Sequence, residues 1–167
     1  MTTIVAFSKW LETTNLSWAI RGGLPWIWPA CETLHFIGLC LLLGVIGVVD
    51  LRLLGRLRGV PIGPLERLVP WAVAGFGLCA VTGLLFYTGA PYQYYSNTIF
   101  WAKMAFIGLA GVNVLVFHLS GVSRVLDRLS PDDDVPLSAK LIGGTSLFLW
   151  TGVVFWGRML PFLGGAF

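Results

Sequence analysis

The sequence predicts an all-α membrane protein, a four-transmembrane-helix bundle preceded by an N-terminal interfacial amphipathic helix. Two observations carry this. Of 167 residues, 56% are hydrophobic and only 11% are charged, with a mean hydropathy of +0.81. A soluble domain carries about 25% charged residues and must show polar groups to water. The apolar residues also fall in four runs, each long enough for the roughly 20 residues that cross about 30 Å of hydrocarbon. These runs use most of the chain, so residues 1–167 read as a single transmembrane domain.

Residues 3–20, TIVAFSKWLETTNLSWAI, place Ile4, Phe7, Leu11 and Trp18 at helical spacing, with Lys9, Glu12 and Asn15 between them. The run is too polar to span and reads as a helix lying in the interface, broken near Thr14 and Asn15. Gly22, Gly23 and Pro25 turn the chain into a first span at about 26–49, closed by Asp50 and Arg52. Arg56, Arg58 and Arg67, interleaved with Pro61, Gly63 and Pro64, make a basic loop. The second span covers about 68–88, and its glycines at 75, 77 and 83 allow close helix contact. The tyrosine-rich loop GAPYQYYSN suits an interface. The third span covers about 98–119 and continues toward Arg128. SPDDDVP, bounded by Pro131 and Pro136, breaks the chain before the fourth span at about 139–160, and the tail LPFLGGAF stays near the surface.

Four spans put both termini on one side. One face carries Arg52, Arg56, Arg58, Arg67, Arg124, Arg128 and Lys140, and the other carries Lys9, Arg21, Lys103 and Arg158. The richer face belongs in the cytoplasm, which sends both termini outward. The net charge of +3 and pI near 9.0 are explained by these loops and need no nucleic acid. Cys31, Cys40 and Cys79 lie in apolar runs and form no disulfide framework. The N-terminus lacks the pattern of a cleaved signal peptide.

Ionisable side chains inside a span are costly, which makes them functional candidates. They are Glu32, His35, Lys103, His118 and Arg158, with polar Asn113 beside them. His35 lies about nine residues into the first span and His118 near the end of the third, which runs parallel to it. At 1.5 Å per residue their depths differ by roughly 15 Å, too far for one ion or one haem held by both rings. Either the span ends lie two turns from these positions, or each histidine serves its own site. Met104, Gly111 and His118 recur every seven residues and share a helix face, where Gly111 either admits a flat macrocycle or serves ordinary helix packing.

Two readings compete at His35. In the first, His35 ligates haem iron, Met104 is a second axial ligand, and Lys103 and Arg158 pair with propionates. A second haem on His118 would take Arg52 or Arg124 as its propionate partner. In the other, Cys31, His35, Met104 and Met159 form a soft copper site. A cofactor-free scaffold, with Glu32 paired to Lys103, is the third possibility. No phosphate-binding glycine loop, CxxC or HExxH occurs. Glu32 and His35 have the spacing of a di-iron carboxylate motif but lack the further carboxylates such a site needs.

WPACETLHFIGLCLLLGVIGVVDLRLLG (28–55) and NTIFWAKMAFIGLAGVNVLVFH (97–118) resemble an uncharacterised family of small bacterial four-helix inner-membrane proteins. That family is distantly similar to the copper-resistance protein D type and to b-type cytochrome bundles. The resemblance covers nearly the whole chain, and Asn97, Lys103, Asn113 and His118 are its matching positions in the third span. It implies a bacterial inner (plasma) membrane location and oligomer-forming bundles, and with the charge count above the termini become periplasmic. The cytochrome comparison implies haem on histidines of facing helices, although this chain has fewer histidines than a di-haem bundle uses. The resulting expectation is a membrane b-type cytochrome with one or two haem b, metal ligands His35 and His118, and electron transport within or across the bilayer. Whether it is a carrier or a membrane oxidoreductase stays open. Expected partners are the lipid bilayer, further copies of the chain as a dimer or trimer, and a redox partner such as a quinone or a periplasmic protein.

Overall fold

The computed structural model describes residues 3–57, 59–126 and 133–163; Arg58, Arg128, Pro131 and the last four residues of the tail lie outside the described residues. The chain begins with α1 (Thr3–Glu12), α2 (Asn15–Trp18) and a π-type turn over Ala19–Gly23. Then follow α3 (Ile27–Leu53), α4 (Ile62–Glu66), α5 (Val69–Gly89), α6 (Pro91–Tyr95), α7 (Thr98–Leu119), α8 (Val122–Leu126) and α9 (Leu137–Met159). Among the described residues, four helices are long and apolar enough to cross a membrane: α3, the stretch Gly63–Gly89 that contains α5, α7 and α9. The protein is an all-α, multi-pass membrane bundle.

Local chemistry sets the helix ends. The hydroxyls of Thr13 and Thr14 donate to the carbonyls of Trp10 and Leu11, each at 2.7 Å, and close α1. Thr14 then accepts from the Ser17 amide at 3.2 Å and opens α2, so the chain breaks between the two. Gly22, at φ +148°, supplies the turn into α3 that a side chain would oppose. Asn97 caps α7 by accepting from the Ile99 amide at 2.9 Å. Its amide nitrogen donates to the Leu160 and Leu163 carbonyls, each at 3.2 Å, so this fully buried side chain also ties the end of α9 to the start of α7.

In the bundle α3 packs along α5 and α9, and α9 packs along α7. Glycines set the close approaches. A Cβ on Gly75 would lie 2.6 Å from the Gly38 carbonyl oxygen, and one on Gly38 would lie 2.8 Å from that of Gly75. Gly143 of α9 lies against the Asp50 backbone and Leu53 of α3. Leu42, Ala72, Ala110, Leu149, Trp150 and Val153 form the central core. The outer flanks stay apolar and open, with Leu84 and Phe148 each 67% exposed, as a lipid-facing surface requires.

The two ends of the bundle differ. At the near end, α1, α2 and α6 gather beside the starts of α3 and α7. There Arg21 Nε and the Ser17 hydroxyl both donate to the Gly89 carbonyl, at 3.0 and 3.5 Å, and Arg21 pairs with Glu12 at 3.4 Å. At the far end, Leu53, Val122, Leu126, Val135 and Ala139 make a second core.

Candidate functional site

His35 sits on the third turn of α3, half-buried, and α5 supplies its partner. Its Nδ1 lies 2.7 Å from the Thr82 hydroxyl oxygen. That hydroxyl has a single hydrogen, which it gives to the Leu78 carbonyl at 2.7 Å. Thr82 therefore meets the ring as an acceptor, Nδ1 carries the hydrogen, and Nε2 is left free of this network. Thr82 is itself buried, at 2% exposure, so the arrangement is shielded from competing water.

The neighbours of Thr82 on α5 complete the wall. The Cys79 thiol donates to the His35 carbonyl at 3.5 Å. A Cβ on Gly83 would lie 4.0 Å from His35 Cε1, so the glycine stands beside the edge of the ring. Phe86 meets the imidazole edge-on with centroids 5.7 Å apart, and Trp28 packs on Phe86 at 5.0 Å. Residues 79, 82, 83 and 86 recur at helical spacing and line one face.

Lys103 enters from α7. Its aliphatic chain passes over Gly157 of α9, with Nζ 3.6 Å from where a Cβ would stand. It lies close enough to His35 and Cys79 to interact electrostatically with both. No carboxylate or hydrogen-bond partner meets its ammonium among the described residues. Glu32, expected as that partner in the scaffold reading, instead accepts from Trp28 Nε1 at 3.2 Å.

The other expected site residues lie apart from this cluster. Met104 is 42% exposed on the outside of α7, and Arg158 is exposed and stacks over the Phe162 ring at 5.0 Å. Cys31 is buried one turn before His35, and Met159 is half-buried on α9. His118 is exposed near the far end of α7, its Nδ1 2.9 Å from the Val114 carbonyl of its own helix. Gly111 faces open space. The face shared by Met104, Gly111 and His118 thus points out of this protomer, and any cofactor on it would sit outside the bundle. Arg52 is buried, at 1% exposure, and its Nε donates to the Val60 carbonyl at 2.8 Å, which holds the loop after α3. Arg124 is exposed. Asn113 crosslinks α7 to α9 through the Ile142 carbonyl at 3.1 Å. Among the described residues no three His, Cys, Asp or Glu side chains converge as a metal-ion site.

Aromatic rings lie above the cluster at the near end. Tyr94 of α6 packs against Tyr87 and Phe100, with centroids 6.4 and 5.7 Å apart. Burial, and then the Glu32 carboxylate, push its phenol from 10.0 up to about 12. Between those values the unfolded chain has lost a proton that the folded chain still holds, so stability falls as pH rises through that window. In alkaline unfolding measurements, Tyr94→Phe is expected to flatten that decline.

The chain belongs to a family described as a family of unknown function (DUF6644), whose model matches residues 7–163. No curated protein and no solved structure matches it.

Proposed function

We propose that this member of the DUF6644 family is a membrane-embedded b-type haem protein that passes electrons at the near end of its bundle. The observation that supports the reading is the hydrogen-bond chain from the Leu78 carbonyl through Thr82 to His35 Nδ1. A histidine whose second nitrogen is fixed in this way is the usual form of a metal ligand. The residues fit a haem better than a bare ion, because a macrocycle brings its own nitrogens and asks the protein for one or two. His35 Nε2 would hold its iron. Lys103, whose ammonium meets no counter-ion among the described residues, would hold a propionate, and Gly83 stands beside the ring. When bound, the haem supplies one-electron chemistry, and the chain's part is to orient it and exclude water from it.

The copper reading gains nothing comparable, since Met104 is exposed while Cys31 is buried. One haem per chain follows, because His118 stands outside the protomer. The arginine-rich far end is assigned to the cytoplasm, and the termini and the haem end to the periplasmic side of a bacterial inner membrane. A quinone or a periplasmic protein is the redox partner of this reading. The exposed α7 face, with Gly108, Gly111 and His118, is its seam for a homo-oligomer.

Haem-to-protein stoichiometry, after expression with added haem precursor, tests the proposal. It predicts one haem per chain; colourless protein sinks it. Thr82→Val is expected to weaken haem binding about 10- to 100-fold, the usual cost of losing an orienting partner. Thr82→Ser, which keeps the hydroxyl, should restore it.

A further inference from the structure

A second polar site lies at the far end, on the seam between α3 and α9. Asp50 is 4% exposed. Ser146 of α9, itself buried, is the polar neighbour that acts on its carboxyl, and Oδ2 has no hydrogen-bond partner among the described residues. Gly143, one turn earlier on α9, lets the two backbones close over it: a Cβ there would lie 3.1 Å from the Asp50 carbonyl oxygen.

The charged groups of the packed elements are engaged elsewhere. Lys140 of α9 sits on both carboxylate oxygens of Asp134, at 3.0 and 3.1 Å, and Arg52 Nε is directed to the Val60 carbonyl. Among the described residues, this carboxylate is buried beside a neutral hydroxyl and has lost its water without gaining a compensating cation. Buried carboxyls in membrane bundles recur in proton relays.

We propose that Asp50 is a proton-binding site that takes up a proton from water at the far end and holds it on its carboxyl at neutral pH. The new bond is O–H on the carboxyl, the donor is hydronium or water, and the site becomes neutral. Asp50 lies three residues from the end of α3, so the path to that aqueous face is short. This holds with or without haem.

The test is infrared spectroscopy of the full chain in lipid nanodiscs, with carbon-13 in aspartate. A protonated-carboxyl band is expected at neutral pH and should vanish in Asp50→Asn. Ser146→Ala should move it to higher frequency, because the carboxyl loses its polar neighbour. This second variant decides the matter if Asp50→Asn does not fold. Absence of the band at neutral pH, or a band that Asp50→Asn or Ser146→Ala leaves unmoved, overturns the proposal.

Discussion

His35→Ala is expected to remove haem from the purified protein, whereas His118→Ala keeps the full complement. Losing an orienting partner alone typically costs 10- to 100-fold in affinity, so losing the ligand itself should exceed that. Each tenfold step is about 1.4 kcal/mol. The two histidines are the only ones in the chain, which makes the comparison clean. They differ in place: one is held inside the bundle by Thr82, and the other bonds the Val114 carbonyl of its own helix. Titrating haem into the apoprotein reads the difference. Equal losses in both variants would mean that the interior network around His35 is packing and nothing more.

The second large effect is on the fold. Gly75→Leu should destabilise the bundle by at least the ~1–3 kcal/mol usual for overpacking. The new Cβ would meet the Gly38 carbonyl oxygen at 2.6 Å and the Leu42 amide at 2.8 Å, and both are backbone atoms. Neither can swing aside, so α3 and α5 must separate. Separation also pulls Thr82 from His35, and haem should be lost with stability. Gly77→Leu is the control, because a Cβ there meets nothing within 4 Å. Thermal unfolding in detergent should show a lowered midpoint for the first variant and an unchanged one for the second.

The spans were legible because hydrocarbon imposes a length and forbids charge, and both constraints act on composition alone. For the same reason His35 and Lys103 stood out as ionisable groups that lipid would not choose. What could not be read was which side of each helix faces inward. The third span carries apolar residues on every side, so the seven-residue spacing of Met104, Gly111 and His118 shows a shared face without showing its direction. The structure turns that face outward and Lys103, one residue from Met104, toward the cluster. Thr82 was missed for a related reason. It is a hydroxyl in an apolar run, and its meaning depends on the register between α3 and α5. The contact between Gly38 and Gly75 sets that register, and the spacing of glycines in one sequence does not reveal which of them meet. Asp50 read as the polar end of a span, and only the close approach at Gly143 shows it to be enclosed.

The most direct measurement is the visible absorption spectrum of the purified protein, oxidised and then chemically reduced, beside that of His35→Ala. A Soret band that shifts reversibly on reduction in the wild type, and is absent from His35→Ala, is the result expected of a redox-active haem on His35. A spectrum without a Soret band in the haem-supplemented wild type, or a band that His35→Ala leaves unchanged, would contradict it.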